Sequence, residues 1–230
     1  MLFRSPMTEN SAQYYISGLM DNSKRNSRIM SITLNEFLIL LSENGNALLP
    51  RITLDKGKNE LVLTGAAIIK DYELKGYFTP LQLMDIQLLS GKFSSGKKVI
   101  YMDGHPVDYI IDGYKRKMSV EEEGDKLEIN IDVSIEGQLG GYYVGKKILE
   151  KDELQRIQNA FNNSISGECE KIMEIAKGKF EIDPFGTREH IEKFNPSLWN
   201  KIEKDWDKKY KNATVSVTVD TKMRRIGSVQ

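Results

Sequence analysis

The stretch from Lys126 to Glu136 constrains the fold more than any other part of the chain. Leu127, Ile129, Ile131, Val133 and Ile135 alternate without a break with Glu128, Asn130, Asp132, Ser134 and Glu136. Successive strand side chains point to opposite faces, so this pattern requires a sheet with one buried face and one wet face. A half-wetted strand fits an antiparallel sheet; parallel strands are covered on both sides and read as continuous apolar runs. Val107 to Val120 alternates less regularly, and Glu122-Glu123-Gly124-Asp125 supplies a turn, so the two segments are predicted to form one long hairpin.

The buried face needs cover, and the sequence offers it downstream. From Lys151 to about Lys179 the apolar period becomes helical, with Leu154, Ile157, Phe161, Ile165, Cys169, Ile172 and Ala176 on one stripe. Gly167 interrupts that helix at about 1 kcal/mol against Ala, and local packing is expected to offset the cost. Asn195-Pro196 has the form of an N-cap followed by an N1 proline, opening a helix that carries Trp199, Ile202, Trp206 and Tyr210. Ala213, Val215, Val217 and Val219 then alternate with Thr214, Ser216 and Thr218 as a closing strand.

Upstream, Asn10 to Asp21 reads as a short helix. Thr33-Leu34-Asn35-Glu36 is a capping box, after which Leu34, Phe37, Leu38 and Leu41 define an apolar face and Gly45 a left-handed stop. Strands are predicted at Arg51 to Leu54, Leu61 to Ile69 and Leu74 to Phe78. Thr79-Pro80 then opens a helix with Leu81, Met84 and Leu88 on one side, ending at Gly91. Hairpins rather than regular βαβ units dominate, so the fold class is α+β: an antiparallel β-sheet packed by a long amphipathic helix and a shorter Trp-bearing helix, with a small N-terminal α/β subdomain. The polar turn Asp55 to Asn59 is the expected boundary, giving a partial subdomain over 1–58 and the main domain over 59–230.

Charge excludes some functions. Lys+Arg and Asp+Glu number 33 each, so no net field draws in nucleic acid, and no nucleic-acid partner is expected. One cysteine, Cys169, forbids an internal disulfide, and the most apolar run, Phe37 to Leu41, is far too short to span a bilayer. Met1 to Pro6 lacks the charged and apolar regions of a signal peptide.

Chemistry finds little purchase. Gly140-Gly141-Tyr142-Tyr143-Val144-Gly145-Lys146-Lys147 has phosphate-loop spacing, but Lys147 stands where a Ser or Thr must hold magnesium, and a plain strand-to-helix loop is expected. His105 and His190 lie in unrelated contexts, and Cys169 sits on an apolar stripe as a small hydrophobe. Glu121, Glu122, Glu123, Glu128, Asp132 and Glu136 read as a solvated strand face rather than a paired-carboxylate hydrolase site. No catalytic, cofactor-binding or metal-binding residue is therefore expected, and no cofactor. The distinctive constellation is aromatic: the turn Asp183-Pro184-Phe185-Gly186, then Pro196-Ser197-Leu198-Trp199 and Trp206. The tryptophans are expected as core anchors, with an interface role as the other option.

In order and spacing, this constellation resembles the C-terminal region of the Ger(x)C family, the lipoprotein C subunits of spore germinant receptors. The family pattern is an Asp-x-Phe-Gly turn, a Pro-x-x-Trp helix with a second Trp, and a strand ending near a glycine, here Val215 to Gly227. Gly65 to Ile69 with Leu74-Lys75-Gly76-Tyr77 resembles the start of the same domain, and Leu34 to Phe37 with Leu49-Pro50 the end of the preceding one, over roughly residues 30 to 230. The resemblance implies a non-catalytic accessory subunit that works with integral-membrane receptor subunits at the outer face of the spore inner membrane in nutrient-triggered germination. Asp183, Phe185, Gly186, Pro196, Trp199 and Trp206 are its structural or interface residues. Family members begin with a signal peptide and a lipid-modified cysteine. Neither is visible here, so membrane association is expected only through partners or through an N-terminal anchor outside this chain. The alternative is an extracytoplasmic binding protein for a small ligand or cell-wall polymer.

Overall fold

The computed structural model describes residues 16–18, 21, 26–55, 57, 60–142 and 151–226. The predicted helix at Asn10 to Asp21 falls mostly outside them, although residues 16–18 and 21 are helical. The Gly-rich segment is described only as far as Tyr142. Two compact units divide the chain, 1–84 and 85–230.

The first unit opens with α1 (Leu34–Asn44), whose capping box forms as the sequence indicates. Thr33 N–H donates to Glu36 Oε2 at 2.8 Å, and Glu36 N–H donates to Thr33 Oγ1 at 3.2 Å. Gly45 closes the helix at φ 67°, its N–H bonded to the Leu41 carbonyl. The expected apolar face does not hold. Only Leu41 is buried, while Leu34 and Leu38 are 73% and 53% exposed. Beyond α1, β1 (Asn46–Asp55), β2 (Glu60–Lys70) and β3 (Glu73–Phe78) form an antiparallel sheet in that order. The turn around Gly57 thus joins two paired strands of one sheet. Gly65 is required where it stands: its φ is 100°, and a Cβ there would lie 2.0 Å from the Phe78 carbonyl oxygen.

The helix α2 (Pro80–Ser90) starts in a second capping box, Thr79 with Gln82, and contains the division between the units. Met84 and Leu88 are buried as expected, but Leu81 is exposed.

The second unit is built on a four-stranded sheet, β4 (Gly96–Met102), β5 (His105–Glu123), β6 (Lys126–Tyr142) and β7 (Thr214–Ile226), in that spatial order. β5 and β6 form the predicted long hairpin around Gly124 and Asp125. Leu127, Ile129, Ile131, Val133 and Ile135 are all buried. β5 carries an extra residue at Asp112, where the register slips between Ile111 and Gly113.

One strand departs from expectation: β7 joins β6 in parallel, Glu128 opposite Thr214 through Leu139 opposite Ile226. The fold is α+β with a mixed rather than purely antiparallel second sheet. Parallel neighbours need a long crossover, and the helices between β6 and β7 provide it. The first of these, α3 (Lys151–Glu174), buries Ile157, Phe161, Ile165, Cys169 and Ile172, with Phe161 against Tyr109 at 5.2 Å between ring centroids.

Its polar residues have a separate task. Gln158 Nε2 donates to the Thr221 carbonyl at 2.6 Å, Thr221 N–H donates to Asn162 Oδ1 at 2.8 Å, and Val217 N–H donates to Glu170 Oε1 at 3.3 Å. These side chains occupy backbone groups of the edge strand β7 that would otherwise be open to another strand.

Gly167 contradicts the expected packing compensation. It is exposed on α3, and a Cβ there would meet nothing within 4 Å. Gly167→Ala is therefore expected to raise stability by about 0.5–1 kcal/mol, seen as a higher urea midpoint with unchanged slope.

Candidate functional site

Past Glu174 the helix widens into π-helical turns over Ile175–Phe180 and ends at Glu181, a left-handed residue with φ 54°. Lys177, buried in this segment, donates to the Ala213 carbonyl at 2.5 Å and pairs with Glu174 at 2.8 Å. The wide turn thereby ties the end of α3 to the start of β7.

The Asp183-Pro184-Phe185-Gly186 corner follows. Gly186 has φ 74°, and Phe185 is fully buried. Asp183 organises the turn: one carboxylate oxygen accepts from Phe185 N–H and Thr187 Oγ1, both at 3.1 Å, and the other from Arg188 N–H at 2.9 Å. The last of these bonds satisfies a first-turn N–H of α4 (Thr187–Phe194), whose N-cap is Gly186. Burial nonetheless pushes the Asp183 carboxyl up to about 6, against the lowering effect of its donors. The Tyr210 hydroxyl faces the same carboxyl and is raised well above its ordinary value, again by burial.

Asn195 then caps α5 (Pro196–Ile202), its Oδ1 accepting from Leu198 N–H at 3.2 Å with Pro196 at N1. The single Trp-bearing helix of the sequence analysis is in fact broken. A 3₁₀ turn at Glu203–Asp205 separates α5 from α6 (Trp206–Lys211). Leu198, Ile202 and Tyr210 point inward and are buried, whereas both tryptophans are half-buried. This corrects the expectation of core anchors. Instead the two tryptophans, on the rim, form the outer part of an aromatic ladder, with Trp199 edge-on to Trp206 at 5.7 Å and Trp206 stacked on the buried Tyr210 at 5.1 Å. The Arg188 guanidinium covers Trp199 at 5.1 Å.

Ion pairs fasten this rim to the sheet. Lys201 and Lys209 both grip Glu122 near the β5–β6 turn, Lys209 also donates to the Asp125 carbonyl at 2.9 Å, and Lys211 pairs with Glu181. Five of the six residues singled out by sequence thus have defined roles in one corner: Asp183 and Gly186 shape it, Phe185 roots it, and Trp199 and Trp206 face outward. The sixth, Pro196, starts the helix that carries Trp199. Trp206→Ala, which removes a half-buried ring and two aromatic contacts, is expected to lower stability by about 1–2 kcal/mol in chemical denaturation, well short of a core truncation.

A second cluster was not legible in the sequence. Lys98 on β4 is 5% exposed and reaches Asp85 on α2 at 2.6 Å and Glu168 on α3. Burial pushes the Asp85 carboxyl up to about 6 despite Lys98, while on Lys98 the burial penalty is outweighed by the two carboxylates and its pKa is raised. Cys169 lies in the same neighbourhood, its thiol pushed far up by burial and so held un-ionised.

Among the described residues, no group of three or more His, Cys, Asp and Glu side chains is placed to hold a metal ion. No helix among them is long and apolar enough to cross a membrane. His105 is exposed at the start of β5, while His190 lies on α4 against Phe194, with ring centroids 4.8 Å apart.

Comparison with known proteins places this architecture. Residues 64–227 match the family described as Spore germination B3/GerAC like, C-terminal. The chain is 26% identical over 221 residues to spore germination protein A3 of Bacillus subtilis (strain 168), covering 94% of this chain and 59% of that protein. It is 21% identical over 222 residues to spore germination protein YndF of the same organism, covering 54% of that protein. The crystal structure of the GerBC protein superposes with a TM-score of 0.77 at 20% identity, over 84% of this chain and 61% of that one. The chain thus spans between half and two thirds of the length of these relatives.

Proposed function

The chain belongs to the Spore germination B3/GerAC-like, C-terminal family, and from that premise we propose that it serves as a non-catalytic accessory part of a spore germinant receptor, working by protein–protein contact. The observation that carries this reading is the Trp199–Trp206 pair, half-exposed above the buried Tyr210 on a corner fixed by Asp183, Glu122 and Glu181. Aromatic side chains held in place bury large area at small entropic cost, which suits a recurrent contact with another protein. The partners are the integral-membrane subunits of the receptor, and the site of action is the outer face of the spore inner membrane. Any hold on the membrane comes through those partners or through an N-terminal lipid anchor.

The test is a pull-down from detergent-solubilised spore membranes with this chain as bait and mass spectrometry as readout. Recovery of the integral-membrane receptor subunits supports the assignment. Their absence, with the bait shown to be folded, removes it.

A further inference from the structure

The β2–β3 hairpin turns through two residues, Asp71 and Tyr72, between the paired Lys70 and Glu73. Both have positive φ, 52° and 63°. A two-residue hairpin turn of this hand favours glycine at its second position, because a bulky side chain there is strained. Here that position holds a tyrosine that is 80% exposed and makes no ring contact or hydrogen bond among the described residues. No packing of the ring offsets the strain. Asp71 is placed just as unfavourably. Its N–H donates to the Gly45 carbonyl at 2.9 Å, which pins the turn to the end of α1, and its Oδ1 lies 3.7 Å from where a Cβ on Gly45 would stand. A carboxylate at the C-terminal end of a helix opposes the helix dipole, and α1 has no basic residue in its last turn to balance it. Lys75 lies within electrostatic reach of Asp71 but is bonded to Glu73 at 2.5 Å. The Asp71 carboxylate is exposed and makes no ion pair or hydrogen bond among the described residues.

We propose that the Asp71–Tyr72 turn is a docking tip for a basic side chain, lysine or arginine, presented by a protein partner. A cation over the Tyr72 ring gains the cation–π attraction, and the neighbouring Asp71 carboxylate pairs with its charge. The same cation neutralises the carboxylate at the end of α1, so what is unfavourable in the free chain becomes favourable in the complex. The proposal rests on the reading of this chain as a receptor component working by protein contact, with the integral-membrane subunits as that partner. It names a second point of contact, on the first unit, whereas the tryptophan pair belongs to the second.

Stability and binding are expected to part company at this position. Tyr72→Gly restores the Asp-Gly pair that suits the turn, so its urea midpoint rises with an unchanged slope. The same variant is expected to retain about five- to tenfold less of the integral-membrane receptor subunits from detergent-solubilised spore membranes. Tyr72→Phe keeps the ring face and binds like wild type. Tyr72→Leu, apolar but without a ring, loses retention as Tyr72→Gly does, and Asp71→Asn weakens it and flattens its dependence on salt. Equal retention by wild type and Tyr72→Gly overturns the tip and leaves the receptor assignment standing, whereas no retention by folded wild type removes both. Wild-type binding by Tyr72→Leu overturns the cation. A lowered midpoint in Tyr72→Gly shows that the ring serves the fold instead of a partner. Self-association of wild type in analytical ultracentrifugation that Tyr72→Gly abolishes assigns the tip to a second copy and overturns the proposal.

Discussion

Lys98→Met is expected to cost about 3–5 kcal/mol, because it strands Asp85 in the core with no cation. Asp85 is 5% exposed, and its bond to Lys98 is 2.6 Å. Part of the loss can be escaped by protonation, so the penalty depends on pH. In wild type the Asp85 carboxyl stands at about 6 in the fold against an ordinary 3.8. Its proton-linked contribution is fully present below pH 4 and is lost as pH rises through 6. Without Lys98 the folded pKa rises further, so Lys98→Met is mildest in acid and harshest above neutrality. Urea unfolding at several pH values measures this directly. Lys98→Met/Asp85→Leu, which removes both charges, is expected to recover most of the stability. A double variant as unstable as the single one would show that the loss comes from packing rather than charge.

Phe185→Ala is expected to cost about 3–5 kcal/mol as well, through a different mechanism. Phe185 is fully buried beneath the corner, its N–H bonded to Asp183 and its carbonyl to Arg116. Emptying that position leaves a cavity where the chain turns from α3 into α4, and α4 carries Arg188 onto Trp199. The corner should loosen along with the fold. Tryptophan emission, which comes from Trp199 and Trp206 alone, is expected to shift to the red before global unfolding. A variant with a lowered midpoint but wild-type emission would mean that the ladder is held by the Glu122 and Glu181 ion pairs instead.

The elements legible in the sequence were those in which one local rule decided the outcome. Thr33 with Glu36 and Thr79 with Pro80 announced helix starts, Gly45 a helix stop, and the Leu127–Ile135 alternation a half-buried strand. The six residues of the aromatic corner were also identifiable, because turn, cap and aromatic signals coincide there. What escaped notice was decided by distant parts of the chain. Alternation in Val215 to Val219 is the same for parallel and antiparallel pairing, and only the crossover through α3 fixes the former. β4 went unread because its inward row begins with Lys98, whose burial makes sense only once Asp85 and Glu168 are in place; the Asp103-Gly104 turn, with φ values of 51° and 80°, was the available clue. The seven-residue spacing of the tryptophans suggested one continuous helix face, but the 3₁₀ turn at Glu203–Asp205 breaks the helix between them. The open leucines of α1 follow the helical period and still face outward.

The most direct test of the central claim is a paired pull-down from solubilised spore membranes, using the wild-type chain and Trp199→Ser/Trp206→Ser at matched, folded concentrations. The account predicts that wild type retains the integral-membrane receptor subunits and that the double variant, with its fold intact by circular dichroism, loses them. Equal recovery by both would contradict it and move the contact surface away from the aromatic corner.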